Sequence, residues 1–216
     1  MSLRSLELNR IGIFGTSGMA REAGDIARTL NQEPILVGTG RETLSNSKYK
    51  IICEAALDSH ADINFVIGVA DSQTRRSIYE RYMHKLKFVN LIHPTASFGF
   101  GQMEIIKKSM GSIIAAGVRF TNNITFGNFN IINQNVTIAH DCILENFIHV
   151  APGVNISGNI HLKNGCWLGA GSTVNQGSET KKILIGENCV VGSGAVVLSD
   201  CGDNQTYAGV PAVRIK

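Results

Sequence analysis

The sequence predicts two structural parts, a small N-terminal α/β domain followed by a coil of short parallel strands. The coil is indicated by a six-residue rhythm in the second half of the chain. Every sixth residue from Ile114 to Val174 is apolar, and nine of these eleven are aliphatic. A second six-residue row, from Val118 to Ser172, is mostly apolar and carries small residues. An α-helix repeats every 3.6 residues and a strand every 2, whereas short strands joined by corners sustain a period of six.

The α/β domain is predicted by the residues before this rhythm. Ile11-Gly12-Ile13-Phe14 is an apolar strand, a turn follows at Gly15-Thr16-Ser17-Gly18, and helix formers fill residues 19–30. Strand, glycine turn, helix and strand make a βαβ unit, which predicts a small parallel sheet. Further strands are predicted at 35–37, 63–67 and 88–89, and an amphipathic helix at 73–86. We therefore place this domain at residues 1–92 and the coil at residues 93–216.

The coil has a triangular cross-section in this interpretation, with three six-residue strands per turn. Neighbouring turns then lie about 4.8 Å apart, like other hydrogen-bonded strands. The rhythm is clean from Ile113 to Val174 and resumes at Ile185, so residues 175–182 are predicted to form a loop ejected from the coil. The tail from Leu198 onward is predicted to leave it. The flat, partly apolar outer faces of such a prism rarely remain exposed, so we predict a homotrimer.

Composition excludes several classes of function. The net charge of +3 is too small to indicate a nucleic-acid-binding surface. No apolar run is long enough to span a membrane, and charged residues interrupt the N-terminal segment, so we expect no membrane insertion and a cytoplasmic protein. Of the five cysteines, Cys142, Cys166 and Cys189 fall on the inward row, which predicts reduced core residues.

His140 is the main catalytic candidate, because it follows the inward Ile138 by two residues and so lies off the interior row. A histidine accepts a proton near neutral pH, and a carboxylate that bonds its other ring nitrogen fixes the tautomer. Asp141 follows directly, and a corner allows the two side chains to converge where a straight strand does not. The spacing alone also fits an ordinary exposed histidine.

Two further histidines flank the interior row, and a surface position explains each of them. His149 precedes the inward Val150, and His161 has polar neighbours. The spacing from His140 to His149 is nine residues, and the spacing from His149 to His161 is twelve. The three side chains therefore point from different sides of the coil, and we expect no metal site.

The motifs resemble those of a known family. Three segments carry the resemblance: Ile138-Ala139-His140-Asp141-Cys142-Ile143, Phe147-Ile148-His149-Val150 and Ala208-Gly209-Val210-Pro211-Ala212. With the six-residue repeat, they are similar to the left-handed β-helix sugar acyltransferases. The most similar branch comprises bacterial sialic acid O-acetyltransferases and the UDP-4-amino-sugar N-acetyltransferases of the bacillosamine and perosamine pathways. The resemblance implies a Rossmann-like α/β domain followed by a left-handed parallel β-helix of hexapeptide repeats, from about Ile11 to Ala212.

The resemblance also implies roles for individual residues. His140 would be the general base that takes a proton from the acceptor amine or hydroxyl, and Asp141, where relatives often have Glu, would increase its basicity. His149 would contact acetyl-coenzyme A near the thioester, and the backbone at Ala170 and Ser193 would line the pantetheine groove. One more position, Asn133, matches an asparagine near the acceptor. Acetyl-CoA is thus the implied co-substrate, and transfer would be direct, without an acyl-enzyme.

The N-terminal domain would hold the nucleotide or sugar part of the acceptor. The turn Gly15-Thr16-Ser17-Gly18 can bring backbone N–H groups and a helix N-terminus to a phosphate. Gly68 ends a predicted strand, where ligands meet parallel sheets. The full dinucleotide fingerprint is absent, so NAD binding is not expected. Relatives usually show an acidic pair after the second strand, whereas this chain has Val37-Gly38-Thr39-Gly40-Arg41-Glu42, which leaves the nucleotide open.

We therefore expect an acetyl-CoA-dependent acetyltransferase that acts on a nucleotide-linked amino sugar in bacterial surface glycan biosynthesis. A sialic-acid-type sugar O-acetyltransferase is the close alternative, because His140 serves an amine or a hydroxyl. Two alternatives come from other classes. One is a non-catalytic coil that binds a sugar nucleotide or acts as a scaffold, and the other is a metal-dependent lyase or hydratase.

Overall fold

The computed structural model describes residues 9–40 and 48–216. Arg41 and Glu42, which belong to the segment after the second strand, lie outside these residues. The described chain forms an α/β domain followed by a three-sided, left-handed parallel β-helix, which confirms the predicted fold.

The N-terminal domain contains a parallel five-stranded sheet with the strand order β3-β2-β1-β4-β5. The strands are β1 (Asn9–Phe14), β2 (Gln32–Gly38), β3 (Lys50–Cys53), β4 (Asn64–Ile67) and β5 (Lys87–Phe88). The helices are α1 (Gly18–Thr29), a 3-10 helix (Glu54–His60) and α2 (Ser72–Tyr82). The sequence did not predict β3, because this partly exposed edge strand has a short apolar run.

Small residues bring α1 close to the sheet. A Cβ on Gly68, directly after β4, would lie 2.7 Å from Ala20 Cα of α1, so glycine is required there for the helix to approach the sheet. The face of α1 that meets the sheet is a stripe of fully buried alanines, Ala20, Ala23 and Ala27. This close packing places the N-terminus of α1 at the carboxyl end of β1.

The coil is built from three parallel sheets, here named sheets I, II and III. Sheet I contains Ser97–Phe98, Arg119–Phe120, Thr137–Ile138, Asn155–Ile156, Thr173–Val174 and Val196–Val197. Sheet II contains Thr125–Phe126, Ile143–Leu144, Ile160–Leu162 and Ile183–Ile185. Sheet III contains Leu91–Ile92, Ile113–Ile114, Ile131–Ile132, His149–Val150, Trp167–Leu168, Val190–Val191, Thr206–Ala208 and the antiparallel Val213–Arg214. The chain turns at three corners per coil, which we name I–II, II–III and III–I.

The interior of the coil holds the two six-residue rows. Every member of the row from Ile114 to Val174 and of the row from Val118 to Ser172 is buried. Cys142, Cys166 and Cys189 are free, buried thiols on the inward side, as the rhythm predicts. Burial raises the pKa of the Cys142 thiol to about 11, so this cysteine stays protonated and inert.

Two insertions explain where the rhythm fails. Helix α3 (Gln102–Ile106) follows the first strand of sheet I and takes the place of a sheet II strand. The six-residue repeat therefore cannot be followed in the sequence before Ile113. Later, Thr173 pairs with Val196, a step of 23 residues, whereas Asn155 pairs with Thr173 after a step of 18. The ejected loop therefore holds five extra residues, and it lies beside the I–II corner.

The tail differs from the prediction. The chain was expected to leave the coil at Leu198, but Thr206–Ala208 still pairs in parallel with Val190–Val191 in sheet III. Val213–Arg214 then folds back antiparallel to Thr206–Ala208. The prediction was wrong because these last strands follow polar turns and lack the six-residue apolar spacing.

The N-terminal domain lies against sheet III and the II–III corner. Ile113 and Ile131 project from sheet III into the hydrophobic cluster that contains the buried face of α1. At the II–III corner, the rings of Phe129 and Phe147 stack with centroids 5.2 Å apart, and Tyr79 of α2 packs 4.3 Å from Phe129. The I–II corner is the vertex opposite sheet III, so it faces away from this domain.

The longest helix in the described part of the chain is α1 with 12 residues, which is too short to cross a bilayer.

Candidate active site

The I–II corner brings His140 and Asp141 together. Asp141 adopts a left-handed backbone conformation (φ +60°), and this turn lets two adjacent side chains meet. The distance between His140 Nδ1 and Asp141 Oδ2 is 2.6 Å. A carboxylate at Nδ1 holds the proton there and leaves the lone pair on Nε2. The His140 side chain is 46% exposed, so Nε2 can reach a substrate.

Asp141 is held in place by further contacts. Asn123, one coil turn earlier, donates from its side-chain amide to Asp141 Oδ1. The bond to His140, followed by the bond to Asn123, lowers the pKa of Asp141 below its usual value. The carboxylate is therefore ionised at neutral pH, as an orienting group for histidine requires.

Besides Asn123, two residues at this corner were not among the predicted site residues. A Cβ on Gly158 would lie 2.6 Å from His140 Cε1, so the imidazole rests against a glycine one turn further along the coil. Lys182, from the ejected loop, donates through Nζ to the backbone carbonyl of Asp141. The signal in the sequence was the spacing of 18 residues from His140 to Gly158, which places the two in register.

His149 lies in sheet III and is buried, 5% exposed, rather than on the surface as its isolated position suggested. Its ring stacks on Trp167 with centroids 3.9 Å apart. The Asn133 amide lies 3.2 Å from His149 Nε2 and donates to the carbonyl of Val150 at 3.0 Å. This donor at Nε2 puts the ring proton on Nδ1, which has no hydrogen-bond partner among the described residues.

The charge state of His149 follows from its surroundings. Burial, and secondarily the positive charge of Arg75, lowers the pKa of His149 to about 3. The imidazole is therefore neutral across the physiological range. The structure places Asn133 and His149 side by side.

Ala170 and Ser193 lie at the III–I corner in successive coil turns. The N–H of Gly194 donates to the carbonyl of Ala170 at 2.9 Å, which shows that the two positions are stacked despite the inserted loop. Both residues are exposed. They form a continuous backbone ridge on the surface of the coil.

A cavity of about 240 Å³ opens at the carboxyl ends of the strands in the N-terminal domain, lined in part by Gly15, Gly38, Val69 and Arg81. Gly15 has a left-handed φ of +104°, and Thr16, Ser17 and Gly18 lead from it into α1. The Ser17 side chain makes no capping hydrogen bond to α1. The N-terminus of this helix next to a cavity suits an anion such as a phosphate.

Gly68 serves packing instead of lining this cavity. A Cβ at Gly68 would lie 2.7 Å from Ala20 Cα, so glycine is needed for β4 to approach α1. Glu54, which the sequence reading missed, lines the cavity and accepts hydrogen bonds from Arg81 Nη1 at 3.0 Å and the Tyr82 hydroxyl at 2.8 Å. It supplies a carboxylate near the end of β2, because Cys53, which precedes it, pairs with Gly38 of that strand.

One chain does not bring all these groups together. His140 and Asp141 lie at the I–II corner, whereas His149, Asn133 and the N-terminal domain lie on and against sheet III. His161 is bonded through Nε2 to Glu145 at 2.7 Å and belongs to neither group. Within residues 9–40 and 48–216, no three His, Cys, Asp or Glu side chains are arranged to hold a metal ion.

Comparisons with known proteins identify similar chains. Residues 10–82 match the family described as the PglD N-terminal domain. Over 123 residues the chain is 27% identical to a GDP-perosamine N-acetyltransferase from Escherichia coli O157:H7. That match covers 56% of this chain and 54% of the relative, so it spans about half the length of that protein.

Two solved structures extend the likeness to nearly the whole chain. PerB from Caulobacter crescentus, solved in complex with CoA and GDP-perosamine, has a TM-score of 0.83 at 23% identity and covers 95% of this chain and 97% of that chain. The acetyltransferase domain of PglB from Neisseria gonorrhoeae FA1090, solved in complex with acetyl coenzyme A, has a TM-score of 0.83 at 24% identity and covers 96% and 99%. Together these likenesses confirm the fold and the resemblance that the motifs indicated.

Proposed function

We propose that this chain, which resembles the hexapeptide-repeat sugar acetyltransferases, is an acetyl-CoA-dependent N-acetyltransferase acting on a nucleotide-linked amino sugar of bacterial surface glycans. The observation that carries the proposal is the 2.6 Å bond between His140 Nδ1 and Asp141 Oδ2 at an exposed corner. It holds the imidazole through Nδ1 and leaves Nε2 directed away from the carboxylate to accept a proton, which is what a general base for an amine requires. Such chemistry needs the cytoplasmic metabolite acetyl-CoA, so we also propose a cytoplasmic location.

In this mechanism the acceptor nitrogen attacks the thioester carbonyl directly. Its proton passes to His140 Nε2, the C–S bond breaks, and coenzyme A leaves as the thiolate, which is then protonated. Asp141 stabilises the imidazolium that forms. His149 would contact the acyl donor near the thioester, and the exposed ridge at Ala170 and Ser193 would line the pantetheine groove. A backbone N–H near Ala170 would stabilise the oxyanion.

The acceptor would be held by the N-terminal domain. The nucleotide would lie in the cavity beside Gly15, and its phosphates would meet the N-terminus of α1, where the Ser17 side chain makes no capping hydrogen bond. A cavity next to a helix N-terminus, which suits a phosphate, favours a nucleotide-linked amino sugar over a free sialic acid, although the pair of His140 and Asp141 would serve a hydroxyl equally well. Asn133 would lie near the acceptor sugar.

The active unit would be a homotrimer. Within one chain the His140 corner is the vertex opposite the sheet that carries the N-terminal domain and His149. If neighbouring prisms pack side by side, the I–II corner of one copy faces the III–I corner of the next, which brings His140 to the ridge at Ala170 and Ser193. The partly apolar outer faces of the prism support the same arrangement.

Removal of the general base tests the proposal. We expect His140→Ala to lose at least about a hundredfold in kcat, the usual range for a general base, with an unchanged Tm. The matched control is His161→Ala, another coil histidine bonded to a carboxylate but away from the corner. Near-normal turnover of His140→Ala would contradict the catalytic role of His140, and absence of acetyl transfer by the wild type would favour a binding or scaffold protein.

The acceptor is identified by a screen with acetyl-CoA. UDP-, GDP- and dTDP-linked 4-amino sugars are compared with sialic acids, and release of free coenzyme A is measured. We expect turnover with at least one nucleotide-linked amino sugar. Turnover confined to sialic acids would replace the N-acetyltransferase proposal with the O-acetyltransferase one.

A further inference from the structure

Arg75 in α2 is fully buried, and all five of its N–H donors are used by backbone carbonyls. Nε donates to Phe129 O at 2.8 Å, and Nη1 donates to Val69 O and Ala70 O, both at 2.8 Å. Nη2 donates to Phe147 O at 2.6 Å and to Ile148 O at 3.2 Å. Carbonyl dipoles thus solvate the charge of Arg75 in place of water.

The five carbonyls belong to two domains. Val69 and Ala70 lie in the segment between β4 and α2 of the N-terminal domain, whereas the other three belong to the II–III corners of two successive coil turns. Phe129 and Phe147 both have left-handed φ values, +56° and +58°. Their stacked rings pack against α2, so that the guanidinium of Arg75 lies at the junction of these corners and the N-terminal domain.

The carbonyls that Arg75 bonds in the two domains both adjoin the proposed site. Val69 lines the cavity to which we assign the acceptor nucleotide. Phe147 and Ile148 immediately precede His149, the buried imidazole assigned to the acyl donor. One guanidinium therefore connects the wall of the nucleotide cavity to the strand that carries His149, and its charge acts on that histidine.

We propose that Arg75 is a positioning residue that fixes the acceptor-binding domain relative to His149, so that the nucleotide-linked sugar and the acyl donor meet in one geometry. The proposal rests on the function proposed above. Arg75 touches neither substrate in this arrangement; it acts through Val69 on one side and through the backbone before His149 on the other.

Lysine does not replace arginine at this position. An ammonium has three donors on a single atom, whereas the guanidinium is a planar fork that reaches carbonyls on three segments at once. In Arg75→Lys at least two of the five buried carbonyls lose their donor. In Arg75→Met all five do, and the positive charge beside His149 is also removed.

Kinetics separate positioning from stability. We expect Arg75→Lys and Arg75→Met to lower kcat at least about tenfold, because small misplacements of reacting groups are costly, while the KM for acetyl-CoA changes by less than about threefold. The control is Leu57→Ala, a buried residue of the same domain. All variants are assayed well below their Tm with the best nucleotide-linked amino sugar from the screen. A loss of kcat no greater than that of Leu57→Ala at a matched Tm would overturn the proposal.

A second readout does not need activity. By nitrogen-15 NMR of labelled histidine, we expect the pKa of His149 to rise in Arg75→Met, because the positive charge that lowers it is removed, and to stay unchanged in Leu57→Ala. Arg75→Gln, which also removes the charge but keeps two donors, replaces Arg75→Met if that variant does not fold. An unshifted His149 in the neutral variant would overturn the proposal. If the wild type shows no acetyl transfer, the proposed function fails while this measurement still decides whether the charge of Arg75 acts on His149.

Discussion

The I–II corner and sheet III place two histidines, nine residues apart, in opposite environments. His140 is nearly half exposed and bonded to an ionised carboxylate, whereas His149 is buried, stacked on Trp167 and held neutral. The same side chain is thereby suited to two tasks. An exposed imidazole with a free nitrogen exchanges protons with a substrate, and a buried neutral one offers a fixed N–H donor.

The coil itself creates this difference. A corner exposes side chains and bends the backbone, so adjacent residues such as His140 and Asp141 converge there. A flat sheet alternates its side chains, and the outer face of sheet III is covered where the N-terminal domain packs on it. Chemistry at the corner therefore depends on local geometry, while chemistry on sheet III depends on how the two domains are held together.

The largest effect expected beyond loss of His140 itself comes from Gly158→Ala. The new methyl group would lie 2.6 Å from His140 Cε1, so the ring must move although the fold need not. We expect kcat to fall about a hundredfold, since a shift of about 1 Å in a catalytic group has that effect. Steady-state kinetics and thermal unfolding measure the change.

The neighbouring substitution Ser157→Ala is the control for Gly158→Ala, and we expect it to keep near-normal kcat. Wild-type turnover in Gly158→Ala would show that the position of the ring seen here is not the one that the reaction uses.

A smaller loss is expected from Asp141→Asn. Asparagine tolerates the left-handed backbone of this position, so the corner should keep its shape. The amide no longer fixes the proton on Nδ1 of His140, and a neutral group stabilises the imidazolium less. We expect kcat to fall about tenfold, as for loss of other orienting partners, with Tm unchanged. An Asp141→Asn enzyme as fast as the wild type would remove Asp141 from the mechanism.

The sequence predicted most of the fold, because the six-residue rhythm reports the inward rows directly. It also indicated that His140 and Asp141 can converge, since both the phase and the corner follow from that rhythm. It did not reveal Gly158 or Arg75. Gly158 matters because the His140 ring rests against it, and Arg75 matters because it bonds five backbone carbonyls, and neither contact follows from spacing along the chain. The burial of His149 was missed for the same reason: periodicity distinguishes inside from outside of the coil, but not which outer face a second domain covers.

The smallest effect is expected in the pH dependence of the free energy of unfolding, which tests whether His149 is neutral in the folded protein. Its pKa is about 3 in the folded chain, below the ordinary value of 6.5, so the unfolded chain binds more protons between these values. The free energy of unfolding must therefore fall as the pH is lowered through this window, by up to about 1.4 kcal/mol per pH unit from this group. We expect His149→Gln, measured by urea unfolding between pH 6.5 and 4.5, to show a shallower slope than the wild type, whatever its stability at neutral pH. His161→Ala is again the matched control, and equal slopes in His149→Gln and wild type would mean that His149 is free to take up a proton in the folded protein.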